Sequence, residues 1–125
     1  MILKKNGIET LAKALNATEL SLVDARIRDK FLRDLAEHEK VFLEDREKIY
    51  AKHANKDKDG NAIITDNKYT FPPESVGQLT EDLAILLDET VEIEAPAKLK
   101  EFLENSPYKP KPGEVELIDK VITAI

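Results

Sequence analysis

The chain has 125 residues, 42% hydrophobic and 35% charged, with a formal net charge of −6. That length suits a single domain, 1–125, burying roughly two thirds of its unfolded surface. The absence of cysteine excludes disulfides, thiol catalysis and cysteine-ligated zinc. The longest apolar run, Leu83 to Leu87, is five residues, against the ~20 needed to cross a bilayer. MILKKNG opens without the apolar stretch of a secretory signal. A soluble protein of the cell interior is expected, with no membrane partner.

Charge is unevenly placed. Residues 1–60 carry 13 Lys/Arg and 12 Asp/Glu, whereas residues 61–125 carry 6 and 13. Residues 74–94 hold seven acids and no Lys or Arg. Such a surface repels phosphate backbones, so nucleic acid is not an expected partner. Its mundane role is solubility; its sharper one is a patch for a basic protein, with Glu81, Asp82, Asp88 and Glu89 as contact residues.

In chain order, Asn6 with Glu9 forms a capping-box-like pair opening a short helix with Ile8, Leu11 and Leu15 on one face. Ser21 with Asp24 starts a second, dominant helix running to about His53. Leu20, Val23, Ile27, Phe31, Leu35, His38, Phe42 and Ile49 form its apolar stripe. Leu32, Val41 and Leu43 broaden that stripe. Some 30 residues extend ~45 Å at 1.5 Å each, longer than a compact domain of this size is wide. Either partner helices line up end to end along this helix, or part of its apolar face is left for another subunit; self-association is expected, with Leu32, Val41 and Leu43 as the contacts.

The period then changes. Residues 61–71 read as a β-hairpin inserted in the helical region 1–106. Asp66-Asn67 forms its two-residue turn, Thr65 opposes Lys68, Ile64 opposes Tyr69, and Ala62 opposes Phe71. A helix starts near Pro73-Glu74 with Val76, Leu79, Leu83, Leu86 and Leu87 apolar. Val91 to Glu94 alternates strictly and predicts a strand joining the hairpin as its third. Pro96 opens another helix with Leu99, Phe102 and Leu103. Residues 107–113 are a proline-rich connector, and 114–125 a last helix with Val115, Leu117, Ile118, Val121, Ile122 and Ile125. The fold expected is mainly α within an α+β class: a long antiparallel helical hairpin or bundle with a small two- or three-stranded antiparallel β-meander.

Chemistry is sparse. NKDKDGNAIITD, residues 55–66, places Asn55, Asp57, Asp59 and Asp66 at EF-hand ligand positions 1, 3, 5 and 12, with Gly60 at the sharp turn. Ala62 stands where that loop wants a larger apolar residue, and Asp66 is shorter than the required glutamate. Lys56 and Lys58 add positive charge, and a strand follows instead of a helix. The loop reads as a turn, without metal. His38 lies on the apolar stripe, where a hydrogen-bonded, partly buried histidine is the simple reading. His53 near a helix C-terminus complements the macrodipole. Ser21, Ser75 and Ser106 have no adjacent histidine. The four glycines are isolated, so no phosphate-cradling loop exists. No cofactor and no catalytic residue is expected. Arg26, Arg28, Lys30 and Arg33 are candidates for a small anionic ligand held between subunits, although solvated helix charge is the simpler account of them.

The order of features also carries a resemblance. A short Leu-rich helix precedes a long charged one ending Glu44-Asp45-Arg46-Glu47-Lys48-Ile49-Tyr50-Ala51-Lys52. Lys56-Asp57-Lys58-Asp59-Gly60-Asn61 and a hairpin follow, then an acidic helix closing on Leu86-Leu87-Asp88-Glu89-Thr90-Val91-Glu92-Ile93. Over roughly residues 1–94 this resembles a family of small, functionally uncharacterised proteins of tailed phages of Gram-positive bacteria. The resemblance implies a phage or prophage origin and a place in the host cytoplasm or the virion. It supplies no catalytic residues. Three readings follow. The first is a non-enzymatic acidic accessory protein that self-associates and binds a host or viral protein, antagonising a host defence or enzyme. The second is a virion structural or assembly component. The third is an oligomeric binder of a small nucleotide ligand.

Overall fold

A computed structural model describes residues 1–125. The chain is mainly α-helical with a small β part. Its strands are β1 (Ile2–Lys4), β2 (Ile64–Thr65), β3 (Lys68–Tyr69) and β4 (Thr90–Glu92). Its helices are α1 (Ile8–Asn16), α2 (Leu22–His53), α3 (Val76–Asp88), α4 (Leu99–Glu104) and α5 (Glu114–Ala124). The chain groups into two compact units. One comprises Met1–Lys40 and Thr90–Ile125, the other Val41–Glu89; α2 contributes residues to both.

In the first unit, α1 buries Ile8, Leu11, Ala14 and Leu15 against α4 and α5. Their spacing is the one the sequence predicts. Phe31 and Leu35 of α2 and Leu99, Phe102, Leu103 and Val121 complete the core. Full burial of each such side chain is worth about 1.5–3 kcal/mol. The start of α1 differs from expectation. Lys5–Gly7 is a 3-10 turn, Gly7 is the cap, and no side chain caps the helix. The reason lies just upstream, where residues 2–4 are a strand. Leu3 and Ile8 both enter the core, and the four residues between them leave room only for a tight turn.

β1 pairs antiparallel with β4, Ile2 opposite Glu92 and Lys4 opposite Thr90. The Met1 amino group donates to the Ile93 carbonyl at 2.9 Å, and the Ile93 amide returns the bond at the same length. The strand predicted at Val91–Glu94 therefore exists, but its partner is the N-terminus and not the hairpin. The β part is two separate two-stranded sheets instead of one three-stranded meander.

α2 is unbroken for 32 residues, about 48 Å at 1.5 Å per residue. Its start is as predicted: the Asp24 amide donates to Ser21 Oγ at 3.4 Å and the Ala25 amide to the Ser21 carbonyl at 2.8 Å. Its end is closed by Lys56. That ammonium donates to the carbonyls of Ala51, Lys52 and Ala54, a cation at the negative end of the helix dipole.

In the second unit, Asp66 and Asn67 hold φ of 52° and 61°, the left-handed pair a two-residue hairpin turn requires. Ile64 faces Tyr69 and Thr65 faces Lys68, the predicted register. The ladder stops there. Asn55 takes the next place, its amide donating to the Thr70 carbonyl and its own carbonyl accepting from the Ile63 amide, both at 2.8 Å. Ala62 bridges Lys56 and does not face Phe71, because the chain leaving α2 runs between the two predicted strand ends. α3 follows a 3-10 turn at Pro73–Ser75 and buries Leu79 and Leu86.

Candidate functional site

Two arrangements in the second unit bring polar chemistry together. The first joins the end of α2 to the middle of α3. His53 is buried, and its Nε2 lies 2.6 Å from Asp82 Oδ2. Gln78 Nε2 donates to Asp82 Oδ1 at 2.9 Å, one helical turn earlier on α3, and Lys52 Nζ stands 3.7 Å from Oδ2. The hydrogen bond with His53, then the one from Gln78, holds the Asp82 carboxyl below the usual carboxylate range. A His–Asp pair invites comparison with a nucleophile-activating dyad. Ser75 is the nearby hydroxyl, but it donates to the carbonyls of His53 at 2.9 Å and Pro72 at 3.0 Å. The hydroxyl is thus committed to backbone. The pair acts as a clasp between helices, where the sequence reading saw His53 only as a dipole complement.

The second arrangement is a cleft of about 510 Å³ between α2 and the hairpin. Tyr50, Tyr69 and Phe71 form its floor, with ring centroids 5.9, 6.1 and 6.3 Å apart and tilted contacts. The Arg46 guanidinium sits 5.9 Å over the Tyr50 ring. Arg46 Nε is enclosed without a hydrogen-bond acceptor. Glu47 accepts the Tyr69 hydroxyl proton, which raises the tyrosine pKa. Lys68 and Asn67 line the opening from the hairpin tip. The sequence reading missed this site. Arg46, Glu47 and Tyr50 lie on neighbouring faces of one helix, and the hairpin register puts Tyr69 at a known position. Nothing in the sequence says that the hairpin folds back onto that stretch of α2.

The predicted site residues are distributed as follows. Asp57 Oδ1 accepts the amides of Asp59 at 2.9 Å and Asn61 at 3.0 Å, closing an Asx turn. Asn55 is engaged with Thr70, and Asp66 is in the hairpin turn. No three His, Asp or Glu side chains gather into a ligand set. Of the acidic patch, Glu81 is exposed. Asp82 faces His53 and Gln78, so it is withdrawn from that patch. Asp88 and Glu89 are exposed yet engaged with partners. Of the basic set, Arg28 donates to the Thr18 carbonyl at 2.7 Å and to Asp29 at 2.9 Å. It ties the α1–α2 connection and is likewise withdrawn. Arg26, Lys30 and Arg33 are exposed, on one side of α2 by their spacing of four and three. Val41 and Leu43 are exposed, and Leu32 is partly buried against the first unit's core. At ~100° per residue, Val41 and Leu43 are about 200° apart around the helix, so they flank the buried stripe on opposite sides and do not form one seam. His38 is partly buried. No helix is long and apolar enough to cross a membrane.

No family model matches this chain, and neither a curated protein nor a solved structure matches it.

Proposed function

We propose that this is a non-enzymatic, protein-binding accessory protein that self-associates through α2 and engages a second protein, host or viral. The observation that carries the reading is the state of α2. It is one unbroken helix, and four of its large apolar side chains remain in solvent: Leu22 at 68%, Val23 at 67%, Val41 at 49% and Leu43 at 41% exposure. Exposed apolar residues are ordinary singly, but four on one helix, on more than one of its sides, suit coverage by further chains. The non-enzymatic part is supported by the Ser75 hydroxyl being committed to backbone carbonyls, which leaves the His53–Asp82 pair without a nucleophile. The acidic charge of the exposed Glu81 favours a basic surface on the second protein. The proposed setting is a tailed phage of Gram-positive bacteria, acting inside the host, on the resemblance of residues 1–94. Light scattering of the purified chain at micromolar concentration tests self-association: an oligomer is expected, and a monomer ends the reading. Val41→Glu with Leu43→Glu should dissociate that oligomer while leaving the helical circular dichroism intact. Capture of a host protein that is lost on Glu81→Lys supports the second contact, whereas enrichment in purified particles points to a virion component.

A further inference from the structure

We infer that the cleft between α2 and the hairpin is a binding site for a small planar aromatic ring bearing a negative charge, of which a mononucleotide or an aromatic carboxylate is an example. Its floor is three aromatic rings, Tyr50, Tyr69 and Phe71, in mutual tilted contact. Because those rings already touch one another, no slot exists between them; a ligand ring lies over their outer faces, where a π-surface of any sequence or substitution stacks.

The charge of the guest follows from the rim. Aromatic floors often take cations, but here Arg46 already covers the Tyr50 face and Lys68 lines the opening. Two cations line the cleft against one carboxylate, Glu47, which accepts from the Tyr69 hydroxyl, so the lining carries a net positive charge. A second cation is repelled; an anion is attracted. Arg46 adds a specific demand. Its Nε–H is shut away from water with no acceptor, so one donor of the guanidinium is left unpaired inside the fold. An anionic group paired with the same guanidinium offsets its charge, in the planar geometry at which arginine excels. The volume, about 510 Å³, lies within the range of small-molecule pockets. The site lies within the second unit and is lined by a single copy of the chain.

Isothermal titration of the full chain tests this with four probes: AMP, adenosine, inorganic phosphate and benzoate. Saturable binding of AMP or benzoate is expected, at least tenfold tighter than adenosine, which lacks the charge, and than phosphate, which lacks the ring. Which of the two binds distinguishes a nucleotide from a carboxylate source. Arg46→Gln and Tyr50→Ala should each weaken that binding by about tenfold or more. Tyr50→Phe, which keeps the ring, should leave it within about twofold. Lys68→Glu, at the exposed hairpin tip, provides a variant that leaves the aromatic floor in place and should also weaken binding several-fold. Absence of saturable binding by both AMP and benzoate, affinity no better than that of adenosine or phosphate, or indifference to Arg46→Gln and Lys68→Glu in folded protein would overturn the inference.

Discussion

Asp82 and Glu114 perform the same task in different units. Asp82 accepts from Gln78 and is bonded to His53. Glu114 accepts the Lys111 amide at 2.7 Å, the Tyr108 hydroxyl at 2.9 Å and the Thr10 hydroxyl at 3.3 Å. Glu114 is thereby held below the ordinary carboxylate range, first by the Lys111 amide and then by Tyr108. A depressed folded-state pKa contributes stability above the unfolded value and loses it as pH falls through the folded one. The melting temperature should therefore decline on acidification from about pH 5 to pH 2. Asp82→Asn and Glu114→Gln should each lower it at pH 7 and flatten that decline; an unchanged acid limb in both would contradict the assignment. The carboxylates of the 55–66 loop behave otherwise, because Asp57 is spent on two backbone amides. Melting in millimolar calcium and in chelator should coincide, and a rise of several degrees with calcium would restore the metal reading.

At the scale of elements, positive φ marks where side-chain choice matters. Asn67 at φ 61° closes the hairpin, and a left-handed backbone costs a residue other than Gly, Asn or Asp about 1–2 kcal/mol. Asn67→Val should destabilise by about that amount while Asn67→Gly is tolerated, as urea unfolding would report. Gly113, at φ 91°, turns the proline connector into α5, and Gly113→Ala should cost at least about 1 kcal/mol for the same reason. Core packing sets a larger scale. Leu15 and Leu99 are completely buried, so Leu99→Ala should cost about 2–5 kcal/mol, with the upper part of the range expected where the cavity cannot collapse. The connector itself is anchored, since Ser106 Oγ donates to the Ala14 carbonyl at 2.6 Å and Glu114 gathers Tyr108 and Lys111.

For the whole molecule, α2 is the organising element: one helix whose inward residues serve two units and whose flanks stay partly apolar. Its periodicity was legible because a long helix repeats the same spacing many times, and each repeat reinforces the last. The hairpin register was legible too, since Asp66-Asn67 permits one backbone geometry and that geometry sets which residues face each other. The short strand at Ile2–Lys4 was not, because three residues contain no period to detect. Its partner was equally hidden: Thr90–Glu92 alternates visibly, but pairing is a choice among all available strand edges. The same distinction separates the polar residues. Ser21 caps a helix through the amide three positions on, a local bond visible in the chain. Asp82 meets His53 across 29 positions and Arg28 meets Thr18 across 10, so acids and bases that read as free charge are internal clasps. Local hydrogen bonding and helical spacing thus determined where the elements begin, end and face. Only the tertiary structure decided which edges pair, which charges are spent, and that Arg46 and three aromatic rings meet in one cleft, because those contacts depend on loop closure and burial that no short window contains.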